Sequence, residues 1–237
     1  MSSTQQVGKL TRISGPMIAA DGMLGVAMGE ILRVGKLGLM GEVIRIDGET
    51  VYAQVFEDTS GMFLGEPVTP LGKPLAVELG PGLLGSTYDG IQRPLITLQQ
   101  QSGDFIGRGL TADALDRNKK WAFTPVAKVG DKVVSGDVLG TVPETKSILH
   151  KVLVPPGKGG TIASIVGAGE YTVLDVIAKL DNGTELTMMH YWPVKQPRPT
   201  ASKLRTDRPF LTGQRVLDCL FPIALGGSAI VPGGFGT

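Results

Sequence analysis

The 237-residue sequence predicts a mainly β protein whose last residues open an α/β phosphate-binding fold. Three observations carry this reading. Glycine (34) and proline (16) are frequent and evenly spread, while aromatics are only 5 %, a composition that suits short strands joined by tight corners. Short apolar, β-branched runs recur between Gly-containing turns over residues 7–70 and again over 120–190. Finally, Ser228-Ala229-Ile230-Val231-Pro232-Gly233-Gly234-Phe235-Gly236-Thr237 passes from an apolar β-type run into glycines, as the strand and first half of G-x-x-x-x-G-K-[ST] do.

The first stretch reads as strands over Val7 to Ile18, Glu30 to Val34, Leu39 to Ile46 and Thr50 to Phe56. Apolar and charged residues alternate in Glu42-Val43-Ile44-Arg45-Ile46, the mark of a half-buried strand. Asp47-Gly48 between two such runs is a strong hairpin signal. Four or more strands within about 65 residues favour a small closed barrel, because closure removes exposed edges. Beyond residue 70 the pattern breaks. Leu79-Gly80-Pro81-Gly82-Leu83-Leu84-Gly85 is a loop, and Asp89 can cap a short helix from about Gly90 to Gln101, with Ile91, Leu95 and Leu98 at helical spacing and Pro94 near the first turn.

Over 120–190, Gly-Asp turns at Gly130-Asp131 and Gly136-Asp137 separate apolar pairs, Val152-Leu153-Val154 and Gly160 to Val166 follow, and Asn182-Gly183 marks a hairpin corner. This is the rhythm of a sandwich of short strands. Residues 193–209 read as a stiff, extended linker, with Pro193, Pro197, Pro199 and Pro209 among Lys195, Arg198, Lys203, Arg205 and Arg208. Thr212 then caps a helix through about Leu220, with Val216, Leu217 and Leu220 on one face, and Ser228 to Val231 forms the closing strand.

A hydrophobic content of 42 % is enough for packed cores, and a net charge of +1 does not indicate nucleic-acid or anionic-membrane binding. One cysteine, Cys219, allows no internal disulfide and fits a reducing compartment. Met1 to Gln6 is polar, unlike a secretory signal, and no apolar run approaches the ~20 residues of a membrane helix.

Each candidate site has a plain structural alternative. In the terminal segment, glycines would let backbone N–H groups approach a phosphate closely, whereas glycine turns after strands are also common without one. The sandwich spacing is similar to that of lipoyl and biotinyl carriers, with Lys146 one place from the usual lysine; an unmodified β-sandwich is the simpler reading. His150 and His190 lie 40 apart with no ligand-spaced cluster around them, so ordinary histidines are expected. Cys219 reads as a small buried hydrophobe. Trp121 and Tyr191-Trp192 read as strand-end anchors rather than a stacking surface. Glu57, Asp58, Asp113 and Asp116 read as solvated turn charges.

The sequence then resembles a known family. Ser14-Gly15-Pro16, Glu57-Asp58-Thr59-Ser60-Gly61, Glu78-Leu79-Gly80-Pro81-Gly82-Leu83 and Tyr88-Asp89-Gly90-Ile91-Gln92-Arg93-Pro94-Leu95 are similar to segments of the catalytic A (alpha) subunit of V-type and archaeal-type rotary ATPases. So are Ala114-Leu115-Asp116-Arg117, Lys119-Lys120-Trp121, Gly169-Glu170-Tyr171-Thr172, Trp192-Pro193-Val194 and Phe210 to Asp218. These segments cover essentially the whole sequence in order.

The resemblance implies a six-stranded-type barrel over residues 1–72, a connecting segment with a short helix over 73–111, an inserted β-rich domain over 112–190, and over 191–237 a linker and the beginning of a P-loop nucleotide-binding domain. Gly233, Gly234, Phe235, Gly236 and Thr237 would be the first positions of the phosphate loop for ATP, with Gly234 where the family usually has Pro or Ala. The second glycine, the lysine and the Mg²⁺-holding hydroxyl of that loop are expected beyond Thr237, so no catalytic residue and no metal ligand is assigned within this sequence. Some members of the family carry an intein in this loop. In the complete subunit, ATP or ADP with Mg²⁺ is implied as cofactor; tight binding to these residues alone is not expected. The implied partners are a non-catalytic B subunit in an alternating A3B3 ring, a central stalk, a peripheral stalk meeting the inserted domain and, indirectly, a membrane sector moving H⁺ or Na⁺. No nucleic acid is expected. The implied location is cytoplasmic and peripheral to the membrane. The competing reading is a stand-alone structural or assembly module of the ring without catalysis.

Overall fold

The computed structural model describes residues 7–200, 202–203, 205–230 and 232–234. They fall into two compact units divided between Pro197 and Arg198. The first unit opens with six strands: β1 (Gly8–Ser14), β2 (Met17–Asp21), β3 (Glu30–Val34), β4 (Leu39–Asp47), β5 (Thr50–Val55) and β6 (Pro67–Pro74). They close antiparallel into a barrel of order β1-β2-β5-β4-β3-β6. Leu10, Ile18, Leu32, Leu39, Val51 and Val68 are among its buried interior.

The expected barrel is present, with three local differences. Val7 to Ile18 is not one strand: Gly15 (φ 57°) and Pro16 fold it into the β1–β2 hairpin, with Ser14 opposite Met17. The alternation expected over Glu42 to Ile46 fails. The register shifts between Val43 and Arg45; Val43 is 1 % exposed, whereas Ile44, Arg45, Ile46 and Asp47 after it are all exposed. The strand that pattern alone did not name, β6, carries Pro67, Pro70 and Pro74, which cannot donate to a ladder. Its partner β3 shifts register between Glu30 and Leu32. The buried Glu30 carboxylate accepts from the Gly72 amide (2.6 Å) and the Ala27 amide (2.9 Å), replacing ladder bonds. Asp47-Gly48 does turn a hairpin: Gly48 has φ 60°, and Asp47 pairs with Thr50.

After the barrel come β7 (Ala76–Leu79) and the helix α1 (Leu95–Ser102). The helix is shorter than expected and Asp89 does not cap it. Pro94 is its N-cap residue and provides no side-chain bond. Asp89 instead accepts the Ile91 and Arg93 amides (3.1 and 2.7 Å), closing a turn ahead of the helix.

The second β region is a sandwich. Its strands are β8 (Trp121–Pro125), β9 (Lys132–Val133), β10 (Val138–Pro143), β11 (Leu149–Leu153), β12 (Gly160–Ile165), β13 (Gly169–Tyr171), β14 (Val176–Leu180) and β15 (Glu185–Thr187). They form two four-stranded sheets, β11-β10-β8-β13 and β15-β14-β12-β9. Phe123, Leu139, Val142, Ile162, Val173 and Ile177 fill the space between them. The Asn182-Gly183 corner lies between β14 and β15, with Gly183 at φ 79°. The chain leaves through β16 (His190–Pro193), which pairs antiparallel with β7, Leu79 opposite His190 and Ala76 opposite Pro193.

The second unit contains β17 (Pro209–Phe210), α2 (Arg215–Leu220) and β18 (Ile223–Ala224), with β17 and β18 paired. Gln214, not Thr212, is the N-cap residue of α2. Capping runs in the reverse direction: the Asp218 carboxylate, inside the helix, accepts the Thr212 amide and hydroxyl (2.9 and 2.7 Å) and the Gly213 amide (3.1 Å). The apolar residues of α2 are exposed, and Cys219, expected to be buried, is exposed with them. No strand forms over Ser228–Ile230, and Ile230 is 88 % exposed; Val231 lies outside the described residues. A strand of parallel-sheet type needs neighbours on both edges, and none is described beside it.

Candidate functional site

Of the five residues assigned to the phosphate loop, Gly233 and Gly234 are described and exposed, while Phe235, Gly236 and Thr237 lie outside the described residues. Nearby in sequence, Thr212, Gly213 and Asp218 form a hydrogen-bonded turn. There the Thr212 amide and then its hydroxyl hold the Asp218 carboxyl below the usual aspartate range. Among the described residues, no group of three or more His, Cys, Asp or Glu is placed to hold a metal ion.

In the first unit, sequence reasoning missed two buried charge clusters. Arg93 donates through Nε to Asp89 Oδ2 (2.7 Å) and through Nη1 to Glu57 Oε1 (2.7 Å) and the Leu110 carbonyl (2.9 Å). Glu57 Oε2 also accepts the Gly109 amide at 2.6 Å. The Arg93 and Glu57 side chains are only 11 % and 12 % exposed, so Glu57 is not the solvated turn charge expected of it. The cluster joins the end of the barrel to the connecting segment. Asp58, by contrast, is an exposed turn residue, and the Ser60 hydroxyl and then its amide hold its carboxyl low. Asp116 is likewise exposed and accepts the Asn118 and Lys119 amides.

The second cluster centres on Glu78 of β7. Its carboxylate accepts from Arg117 and from the Leu115 amide (3.1 Å). Gln92 closes a reciprocal pair with the Glu78 main chain: its Oε1 accepts the Glu78 amide (2.7 Å) and its Nε2 donates to the Glu78 carbonyl (2.8 Å). Those two bonds hold Gln92 at φ 65°, a left-handed conformation that is uncommon outside glycine. Desolvation works against the Arg117 charge, but Glu78 and Asp113 outweigh it and raise the guanidinium further.

The two histidines lie in different strands, β11 and β16. His150 Nδ1 is 3.0 Å from Glu144 Oε2, and His190 lies in β16. Lys146 is exposed in the β10–β11 turn. Trp121 opens β8, buried beneath Lys119, whose Nζ is 4.0 Å from the ring centre. The Glu144 side chain is 3 % exposed and also accepts the Gly82 and Leu84 amides (2.7 and 3.2 Å). Burial works to raise its carboxyl, but those amides and His150 outweigh this and hold it below the usual glutamate range. A carboxyl so lowered gives stability that is complete above the ordinary glutamate range and is lost as pH falls through its native value. Glu144→Gln is therefore expected to flatten the acid side of a plot of urea midpoint against pH. An unchanged acid slope would contradict that.

Comparison with known proteins accounts for the two β regions. Residues 10–72 match the family model described as the ATP synthase alpha/beta family, beta-barrel domain. Residues 112–195 match the model for the ATPsynthase alpha/beta subunit barrel-sandwich domain. The chain belongs to the ATP synthase alpha/beta family. Within that family it is 55 % identical over 235 residues to the A subunit of the A-type ATP synthase of Thermococcus sibiricus, and 56 % identical to that of Thermococcus kodakarensis. Each alignment covers 98 % of this chain and 40 % of the relative. The corresponding protein of Pyrococcus horikoshii is 53 % identical over 234 residues, 97 % of this chain and 24 % of that protein. The chain thus spans about 40 % of the length of the Thermococcus relatives. The ATP synthase alpha/beta barrel is β1–β6, and the family's barrel-sandwich domain holds β8–β15.

Proposed function

We propose that this chain is the N-terminal portion of the ATP-binding catalytic subunit of an A-type rotary ATPase or ATP synthase. The observation that carries this is identity above 50 % along nearly the whole chain with the A subunits of A-type ATP synthases. We divide the chain into the barrel (1–72), the connecting segment (73–111), the inserted domain (112–190), and a linker that leads into the nucleotide-binding domain (191–237). In the complete subunit, Gly233 to Thr237 would open the loop that takes the phosphates of ATP or ADP with Mg²⁺. No step of phosphoryl transfer is assigned to this chain.

In this reading the barrel helps hold a ring of alternating catalytic and non-catalytic subunits, the inserted domain meets a peripheral stalk, and ion movement is coupled indirectly through a membrane sector. We place the chain in the cytoplasm, peripheral to the membrane; no helix among the described residues is long and apolar enough to cross a membrane.

Two measurements test this. The purified chain is expected to release no phosphate from ATP, and turnover would overturn its assignment as scaffold. A chimera joining residues 1–237 to the remainder of the Thermococcus kodakarensis protein is expected to hydrolyse ATP and to assemble with that organism's non-catalytic ring partner. A chimera that folds but does not enter the ring would overturn the family role given to these residues.

A further inference from the structure

The loop Gly80-Pro81-Gly82-Leu83-Leu84 between β7 and α1 lies flat on the edge of the sandwich core. A Cβ on Gly80 would sit 3.0 Å from Leu115 and Met189 side-chain atoms and 3.1 Å from the Met188 carbonyl. A Cβ on Gly82, at φ +113°, would sit 3.2 Å from the Trp121 ring. Only glycine lets the main chain approach this closely, which gives the Gly-Pro-Gly sequence a physical reason. Leu83 packs against the same core. The tie to the β10–β11 hairpin is Glu144, whose Oε1 accepts both the Gly82 and the Leu84 amides while His150 braces Oε2. Pro81, Gly82 and Thr87 form one wall of a cavity of about 580 Å³ whose other walls include Arg117, Lys119 and Trp121.

We propose that Gly80–Leu84 is a strap latched by Glu144, which opens as a local unit and uncovers Trp121 and the adjoining cavity while the sandwich stays folded. The latch sits on the inserted domain and the strap on the connecting segment, so Glu144 holds the strap itself, beside the separate tie that Glu78 makes to Leu115 and Arg117. Two charge-assisted bonds from main chain to one buried carboxylate are strong enough to hold a loop shut, yet can be released without breaking a sheet.

Amide exchange on the unmodified chain, followed residue by residue, tests it first. Gly82 and Leu84 are expected to exchange faster than Val154 and Ile162, whose amides bond to Asp137 and Asp131 within the sandwich. Exchange of all four in step would mean that the strap opens only when the sandwich unfolds, and would overturn the proposal. The second test uses a Trp192→Phe background, which leaves Trp121 as the lone tryptophan. There Glu144→Ala is expected to raise exchange at Gly82 and Leu84 by about ten- to hundredfold and to increase acrylamide quenching of Trp121, with Val154 and Ile162 unchanged. Unchanged quenching and exchange would overturn the latch. If Glu144→Ala does not fold, exchange in the unmodified chain decides the matter alone.

Discussion

Replacing Arg93 with methionine is expected to destabilise the first unit by about 3–5 kcal/mol, read as a lower urea midpoint at unchanged slope. Methionine retains much of the apolar stem but removes every donor. Two carboxylates, Glu57 and Asp89, are then left mostly shielded from water with no cation between them, and the Leu110 carbonyl loses its partner. Breaking one side of a buried pair costs far more than forming the pair gains, because the remaining charge stays desolvated. Arg93→Lys is expected to recover only part of the loss: an ammonium cannot reproduce donation from Nε to one carboxylate and from Nη1 to another. A loss below about 1 kcal/mol would place the cluster with ordinary surface ion pairs.

The second large effect is expected at Phe123, at the centre of the sandwich. The ring is 1 % exposed, meets Tyr171 edge-on with centroids 6.3 Å apart, and lies against Gly140. Phe123→Ala should cost about 3–5 kcal/mol through lost burial and the cavity left behind. Gly140→Ala should cost about 1–3 kcal/mol, since its Cβ would fall 2.3 Å from Phe123 ring atoms and 2.7 Å from the Thr124 carbonyl. The two should not add. Once the ring is gone, the alanine at 140 meets only the backbone clash, so the double variant should be more stable than the sum of the singles. Strict additivity would show that Gly140 is required for its backbone rather than for the ring.

What was legible in the sequence was legible for local reasons. Glu30 to Val34, the Asp47-Gly48 turn and the Asn182-Gly183 corner depend on a few adjacent residues, and each stands as expected. What failed depended on distant partners. Ile44 and Ile46 are exposed together with Arg45 and Asp47, a change of surroundings along β4 that no period within one strand encodes. The prolines of β6 argue against a strand until Glu30, about forty residues earlier, supplies an acceptor for Gly72. Glu57 looks like any turn carboxylate until the fold brings Arg93 to it across 36 residues. Lone charged residues default to solvent in a sequence reading, and these are the exceptions that tertiary pairing creates. In the second unit the apolar positions of α2 and of Ser228–Ile230 were legible, and among the described residues they are exposed. The two described glycines of the candidate loop share that position.

The pairing of β7 with β16 carries a consequence for how such a protein could have been assembled. Leu79 and His190 are cross-strand neighbours, which sets their Cα atoms about 5 Å apart. Everything between them leaves and returns through one doorway, so a gene could gain or lose that length without displacing the residues on either side. A short turn would close the gap. The price falls on the old neighbours: Glu57 would lose Arg93, and Glu78 would lose both Gln92 and Arg117. Those two carboxylates mark where the segment between the two strands has become tied to the residues on either side.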